Sequence, residues 1–306
     1  MKVKYISQRI FASLITLFIV ITLTFFMMRA IPGGPFTEER AIPQHVLEKM
    51  LERYHLNEPI YIQYFNYLFN VLKFDLGPSY RYEGMTVNEL IAGSFPVSFM
   101  VGGIALILSL LLGIPAGIIS ALKHGKLPDR LAMVIATLGV TIPSFVIATV
   151  LVYFFAYKWG IVTVGFWQGF STAILPSLTL SGYPAAFISR LVRSSMLEIL
   201  QQDYIRTAYS KGLKQKRVIY IHALKNAIIP VITYLGPLTA GILTGSFVIE
   251  KVFGVPGLGT FFVTSITNRD YTTIMGVTIF YSALLVAFNL LTDICLAFID
   301  PRIELK

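Results

Sequence analysis

Residues 97–122 read VSFMVGGIALILSLLLGIPAGIISAL, an apolar run without a single charged side chain. A helix needs about 20 mainly apolar residues to cross the hydrocarbon core of a bilayer, and this run meets that length. Five further segments meet it too: Ile10–Met28, Leu131–Ala156, Ala173–Ile188, Ile228–Ile249 and Thr273–Phe298. Pro176, Gly182 and Pro184 interrupt the fourth span in chain order, which membranes tolerate where neighbouring helices satisfy the freed backbone groups. The composition agrees. Of 306 residues, 55% are apolar and only 13% charged, and mean hydropathy is +0.71. A soluble domain carries about a quarter charged residues, so this chain lacks the polar surface of an ordinary cytosolic enzyme.

The first span follows Lys2, Lys4 and Arg9, as a secretory signal would. Its run is longer than a signal core and no small-x-small cleavage site follows, so a retained anchor is expected. The lone Cys295 lies inside an apolar segment and reads as a packing residue.

A formal net charge of +9 would suggest nucleic acid in a soluble protein. Here the question is which side of the membrane holds it. Segments 1–9, 123–130, 190–225 and 299–306 together carry 16 Lys and Arg, against nine in the alternate connections. With acids counted, the first set nets +11 and the second −1, leaving Asp293 inside a span. By the positive-inside rule both termini are cytoplasmic. The nucleic-acid reading falls away.

Three connections have character of their own. In the outer segment 29–95, Pro43 can open a helix with Val46, Leu47, Met50, Leu51 and Tyr54 on one face. A second amphipathic stretch, Pro59–Phe74, is dense in interfacial aromatics, and Gly77-Pro78 turns the chain. Thr86 and Glu89 form a capping box that starts a short helix before the second span. The segment reads either as a cap packed on the bundle or as a docking surface for an external partner.

The inner segment 190–225 holds eight basic residues. Asp203 is placed to N-cap a short helix, Tyr204–Lys211, with Gly212 at its C′ position and Lys211 opposing the dipole. Tyr204, Ala208 and Lys211 share one side, Arg206 and Tyr209 another. A basic juxtamembrane loop attracted to anionic lipid is one reading; a peg made for a soluble partner is the other.

The outer segment 250–271 contains Phe253-Gly254-Val255-Pro256-Gly257-Leu258-Gly259. No Lys-Ser/Thr follows these glycines, so a tight turn dipping toward the bundle is expected rather than a phosphate loop.

Catalytic groups are missing from the spans. There is no Walker A sequence and no His-Glu-x-x-His, and the four histidines all lie outside the apolar segments. Asp293 and Asn289, four residues apart, read as a structural polar pair near the inner surface rather than a proton relay. Gly113-x-x-x-Gly117 and Gly241-x-x-x-Gly245 are small-residue seams; the second, with Ser246, leaves room beside a pathway.

The inner loop also carries a resemblance. Asp203-Tyr-Ile-Arg-Thr-Ala-Tyr-Ser-Lys-Gly212 followed by His222-Ala-Leu-Lys-Asn-Ala227 and Pro230 resembles the coupling-loop signature of ABC importer permeases. Its general form is Glu-Ala-Ala, three residues, Gly, nine residues, Ile-x-Leu-Pro. Ala208, Gly212 and Leu224 match, whereas Arg206, His222 and Lys225 depart toward the variant of the oligopeptide, dipeptide and nickel branch. Arg29-x-x-Pro32-Gly33, Tyr54-x-Leu56-Asn57-x-Pro59, Asp75-Leu76-Gly77, Ser79, Pro256–Gly259, Arg269-Asp270-Tyr271 and Asp300-Pro301-Arg302 look like the same branch. The chain is similar to the B-type permease subunits of oligopeptide importers.

The spans and connections read as an all-α integral membrane protein with six transmembrane helices and an amphipathic extracytoplasmic loop domain, and the resemblance makes the capped inner helix a cytoplasmic coupling helix. The expected divisions are 1–28, 29–95 and 96–306, with the coupling loop at about 193–225. Asp203, Tyr204, Arg206, Thr207, Ala208, Lys211, Gly212 and Leu213 would be the coupling residues. The implied partners are a second permease, two cytoplasmic ATPases that bind ATP and Mg, an extracytoplasmic binding protein and the lipid bilayer. The implied location is a bacterial or archaeal cell membrane. Nickel complexes or another small solute are alternative cargo, and an ion-coupled secondary transporter is the rival from another class.

Overall fold

The computed structural model describes residues 2–32, 34–36 and 44–299. Among them the chain is helical throughout, relieved only by an isolated antiparallel bridge between Pro78 and Thr86. The expectations placed on Gly33, Pro43 and Asp300-Pro301-Arg302 lie outside the described residues.

The first helix, α1 (Lys2–Ala30), leads to two shorter ones, α2 (Gln44–Arg53) and α3 (Ile60–Leu72). Thr86 then opens α4 (Val87–Leu122) with a complete capping box: its hydroxyl accepts from the Glu89 amide and its own amide donates to the Glu89 carboxylate. The box starts no separate short helix, because the chain runs unbroken from it into the long apolar helix.

Next come α5 (Leu127–Thr141) and α6 (Ser144–Leu151), the latter continuing as a π-helical stretch, Val152–Lys158. The predicted third span therefore breaks in its middle, the two halves meeting at 101°. Pro143 causes this: its ring pushes Ile142 into extended backbone (φ −78°, ψ 123°) and ends α5 there.

In α7 (Phe170–Leu200) the opposite happens: the helix passes through Pro176 and Pro184 without ending and continues past the predicted Ile188 boundary. Its buried residues include Ser177, Thr179, Ser181 and Ser189, so it is less apolar than α1, α4 and α14. A helix enclosed by other helices needs no apolar face toward lipid. Ser177 instead donates to the Val101 carbonyl of α4 at 2.9 Å, and Thr179 to Leu175 of its own helix at 2.9 Å.

After α7 come α8 (Asp203–Ser210), α9 (Gln215–Arg217), a π-helical stretch (Val218–Ala223) and α10 (Leu224–Ala227), then α11 (Ile229–Leu243) at a 47° bend. Two short helices, α12 (Phe247–Phe253) and α13 (Leu258–Thr267), meet at 102° before α14 (Tyr271–Ile299). Among the described residues three helices, α1, α4 and α14, are long and apolar enough to cross a membrane, and up to six crossings result if each bent pair is one span, a set that includes the α12–α13 pair and omits the predicted span in α7.

Glycine seats α4 on its neighbours. A methyl at Gly113 would come within 2.7 Å of the Ala185 carbonyl oxygen, and one at Gly117 within 2.6 Å of that of Ser189. The first predicted seam thus forms the α4–α7 contact. The second does not. A methyl at Gly241 would meet nothing within 4 Å, and Gly245 (φ +89°) lies beyond the end of α11.

Candidate functional site

The short helix α8 sits after the long α7 and is anchored by two side chains. Ile205 is 1% exposed and Ala208 6%, and both join a buried cluster with Ile188, Val192 and Met196 of α7 and with Val218 and Ile219. The i,i+3 spacing puts Ile205 and Ala208 on one face. Ala208 therefore faces the protein, separate from the exposed Tyr204 and Lys211 with which the sequence grouped it. Tyr204, Arg206, Thr207, Tyr209 and Lys211 make the outward surface.

The N-terminus differs from expectation. Gln202, in extended backbone (φ −71°, ψ 147°), occupies the cap position and supplies no side-chain bond; Asp203 is already the first helical residue. Its carboxylate still lies where the helix dipole favours a negative charge, 3.6 Å from the Arg206 guanidinium.

The C-terminus matches expectation in detail. Lys211 is the last residue with right-handed backbone, and Gly212 follows at φ +75°. The Gly212 amide donates to the Tyr209 carbonyl at 2.9 Å and the Leu213 amide to that of Ala208 at 3.4 Å. Those two bonds define a Schellman motif, and half-buried Leu213 packs back on the same core as Ala208. From the following segment, Asn226 donates to the Tyr204 hydroxyl at 2.9 Å. Ile205 and Asn226 were missed by sequence reasoning; an apolar residue three before Ala208 was the available signal for the first.

Two buried carboxylates frame the bundle. Asp129, 3% exposed, accepts both Arg193 Nε (2.7 Å) and Nη2 (2.9 Å), the Ser120 hydroxyl and the Gly125 amide (2.8 Å). This bidentate pair ties the start of α5 to α7 at the end nearest α8. Glu250 in α12, also 3% exposed, accepts from the Ser98 hydroxyl at 2.7 Å and from the Thr260 amide at 2.8 Å. A methyl at Gly257 would lie 2.3 Å from Glu250 Oε1, so the Pro256–Gly259 run is a turn shaped to admit this carboxylate.

A third carboxylate, fully buried Asp270, caps α14 and crosslinks two distant motifs. It accepts from the Thr273 amide at 3.2 Å and hydroxyl at 2.8 Å, and from the Ser79 hydroxyl at 2.5 Å and Tyr80 amide at 3.2 Å. Arg269 donates to the Pro32 carbonyl at 3.1 Å. Motifs near positions 32, 79 and 270, far apart in sequence, thus converge.

Gly245 lines a cavity of about 320 Å³ with Phe247, Leu258, Phe262 and Tyr281; Gly241 and Ser246 flank the chain segment leading to it. Asp293 pairs with Arg9 of α1 at 3.2 Å, while Asn289 packs against Gly236 of α11, where a methyl would lie 2.8 Å from its Oδ1. Asp293 thus has its ionic partner on another helix, and Asn289 lies against the backbone of a different one. Among the described residues, no three His, Cys, Asp or Glu are grouped to hold a metal ion.

Long apolar helices interrupted by bent pairs place the chain in the class of helical integral membrane proteins. The chain belongs to the binding-protein-dependent transport system inner membrane component family, whose model matches residues 113–305; the N-terminal model of the same systems matches residues 2–81. It is 48% identical over 303 residues to the oligopeptide transport system permease protein OppB of Haemophilus influenzae, covering 98% of this chain and 99% of that protein. It is 44% identical over 302 residues to the dipeptide transport system permease protein DppB of Bacillus subtilis, covering 99% and 98%. Among solved structures, the inward-facing methionine ABC transporter MetNI matches with a TM-score of 0.58 at 16% identity, over 69% of this chain and 96% of that one. That likeness carries the fold alone.

Proposed function

We propose that this chain is one of two transmembrane subunits of an ABC importer of oligopeptides or dipeptides, with six membrane crossings and cytoplasmic termini. The near-full-length similarity to oligopeptide and dipeptide permease proteins supports the cargo. The observation that carries the mechanism is α8: buried on Ile205 and Ala208, closed by a Schellman turn, and exposed along Tyr204, Arg206, Thr207 and Lys211.

Such a helix is a rigid handle. Its outward residues dock on a cytoplasmic ATPase, and its inward residues share a core with α4, α7 and α11. ATP and Mg bind the ATPases; this chain binds neither. When the ATPases close, α8 carries the packed helices with it, and the two permease subunits alternate access to a pathway between them. Gly241, Gly245 and Ser246 border that pathway. The outer loop 29–95 and its Asp270 lock face the substrate-binding protein.

Reconstitution tests this reading. Liposomes with both permeases, both ATPases and the binding protein should take up a radiolabelled tripeptide only with ATP. Uptake by this chain alone down an ion gradient would replace the proposal with a secondary transporter.

A further inference from the structure

A cavity of about 350 Å³ lies between the end of α1, helix α3 and the loop before α4. Its wall contains an unusual cation. The Arg29 Nε donates to Gln63 at 3.0 Å and the guanidinium stacks on the Phe25 ring at 3.9 Å, but its Nη1 is buried without a hydrogen-bond partner. The Tyr67 hydroxyl of the same wall is also buried and unpartnered. A buried charge left unpaired is costly, so two orphaned donors closed behind the wall of one cavity, on side chains that line it, point to an acceptor that the cavity can admit once those side chains turn into it.

Among the described residues, the acids that line the cavity do not supply it. Glu58 and Asp75 line the same cavity, but Glu58 is held by His55 at 3.0 Å and Asp75 accepts the Gly77 amide at 2.9 Å. Burial pushes the Tyr67 phenol well above its usual value and that of Tyr80, also in the wall, up to about 12. Both therefore remain protonated donors at neutral pH.

We infer that this cavity is a carboxylate-binding site, in which Arg29 and Tyr67 hold the free C-terminal carboxylate of a small peptide. The carboxylate chemistry follows from the donors; its source in a peptide rests on the importer reading above. A planar guanidinium beside a phenol matches a carboxylate, and the cavity volume admits a residue or two of chain.

The test uses the assembled complex of permeases and ATPases in lipid nanodiscs, without the binding protein. Trialanine, trialanine C-terminal amide and acetate are titrated by calorimetry. Trialanine should bind and its amide should bind at least about tenfold more weakly. Arg29→Gln should remove that preference, lowering trialanine affinity about 10- to 100-fold, and Tyr67→Phe should lower it about 3- to 10-fold. The tyrosine variant removes one hydroxyl and decides the matter if Arg29→Gln fails to assemble. Competition by acetate would show a site for carboxylates generally; its absence with trialanine bound would assign the peptide terminus. Equal affinity for acid and amide, no effect of either substitution, or no binding of any probe would overturn the site. Uptake of trialanine by the full transporter is measured in parallel. Arg29-dependent acetate binding without peptide uptake overturns the importer reading alone, and uptake with Arg29-independent binding overturns the site alone.

Discussion

Substitution at Gly212 separates backbone geometry from side-chain size in the proposed handle. The residue sits at φ +75°, and a methyl built there would meet nothing within 4 Å. Any cost therefore comes from forcing a side-chain-bearing residue into left-handed backbone, about 1–2 kcal/mol for most residues and less for asparagine. That penalty acts on the Schellman turn that holds the Leu213 amide to Ala208 and closes α8. A loss of 1–2 kcal/mol corresponds to about a 5- to 30-fold fall in the closed form. Gly212→Asn should keep most coupling, Gly212→Ala should lose about 5- to 30-fold, and β-branched Gly212→Val should lose more. The assay is peptide-stimulated ATP hydrolysis by the reconstituted complex, with ATPase binding to the permease measured separately. Wild-type coupling in Gly212→Val would refute the reasoning. So would an asparagine variant as defective as valine, because that result would make size at the docking surface the determinant.

Other substitutions probe what holds the handle. Ile205→Ala removes the deepest side chain of α8, at 1% exposure, and should cost about 2–5 kcal/mol locally, seen as faster protease cleavage at 200–215 with the other helices intact. Gly117→Ala places a methyl 2.6 Å from the Ser189 carbonyl and should cost about 1–3 kcal/mol, read as a lower unfolding temperature in detergent. Arg193→Gln leaves buried Asp129 with only the exposed His124 imidazole, 3.2 Å away, as a possible cation and should destabilise by about 1–3 kcal/mol, measured as lost yield of monodisperse protein. Arg193→Lys keeps the charge without the two-pronged contact and should fall between.

Much of the fold was legible because membranes impose a simple rule of length and apolarity, and α1, α4 and α14 obey it. The Thr86–Glu89 box and the Gly212 turn were legible because each acts over a few residues and needs a particular side chain or its absence. Other features depended on distant partners. Asp203 was a poor guide to the start of α8 because a cap is set by backbone conformation, and Gln202 adopts it without contributing a bond. The Asp293–Arg9 pair joins opposite ends of the chain. The tight turn between α12 and α13 was legible in its glycines, but its buried carboxylate was not, because Glu250 looks like a surface acid until Ser98 and Thr260 are seen around it. Only the glycines that make room for it were visible.

In the proposed mechanism, the placement of α8 lets a small contact move a large bundle. Ile205 and Ala208 belong to one continuous buried cluster with Ala105 and Ile118 of α4, Ile188, Val192 and Met196 of α7, and Leu238 and Ile242 of α11. Close-packed interiors resist compression, so displacement of α8 displaces those helices rather than denting them. The Asp129–Arg193 pair adds the start of α5 to the same body. In that mechanism motion is absorbed outside this cluster, where the backbone is already broken, at the Ile142-Pro143 junction of α5 and α6. Pro143→Ala tests this joint. Restoring a backbone donor there should straighten α5 into α6, leave ATPase docking unchanged because α8 is untouched, and slow transport per ATP hydrolysed. Unaltered transport stoichiometry in a variant shown to have straightened would place the joint elsewhere.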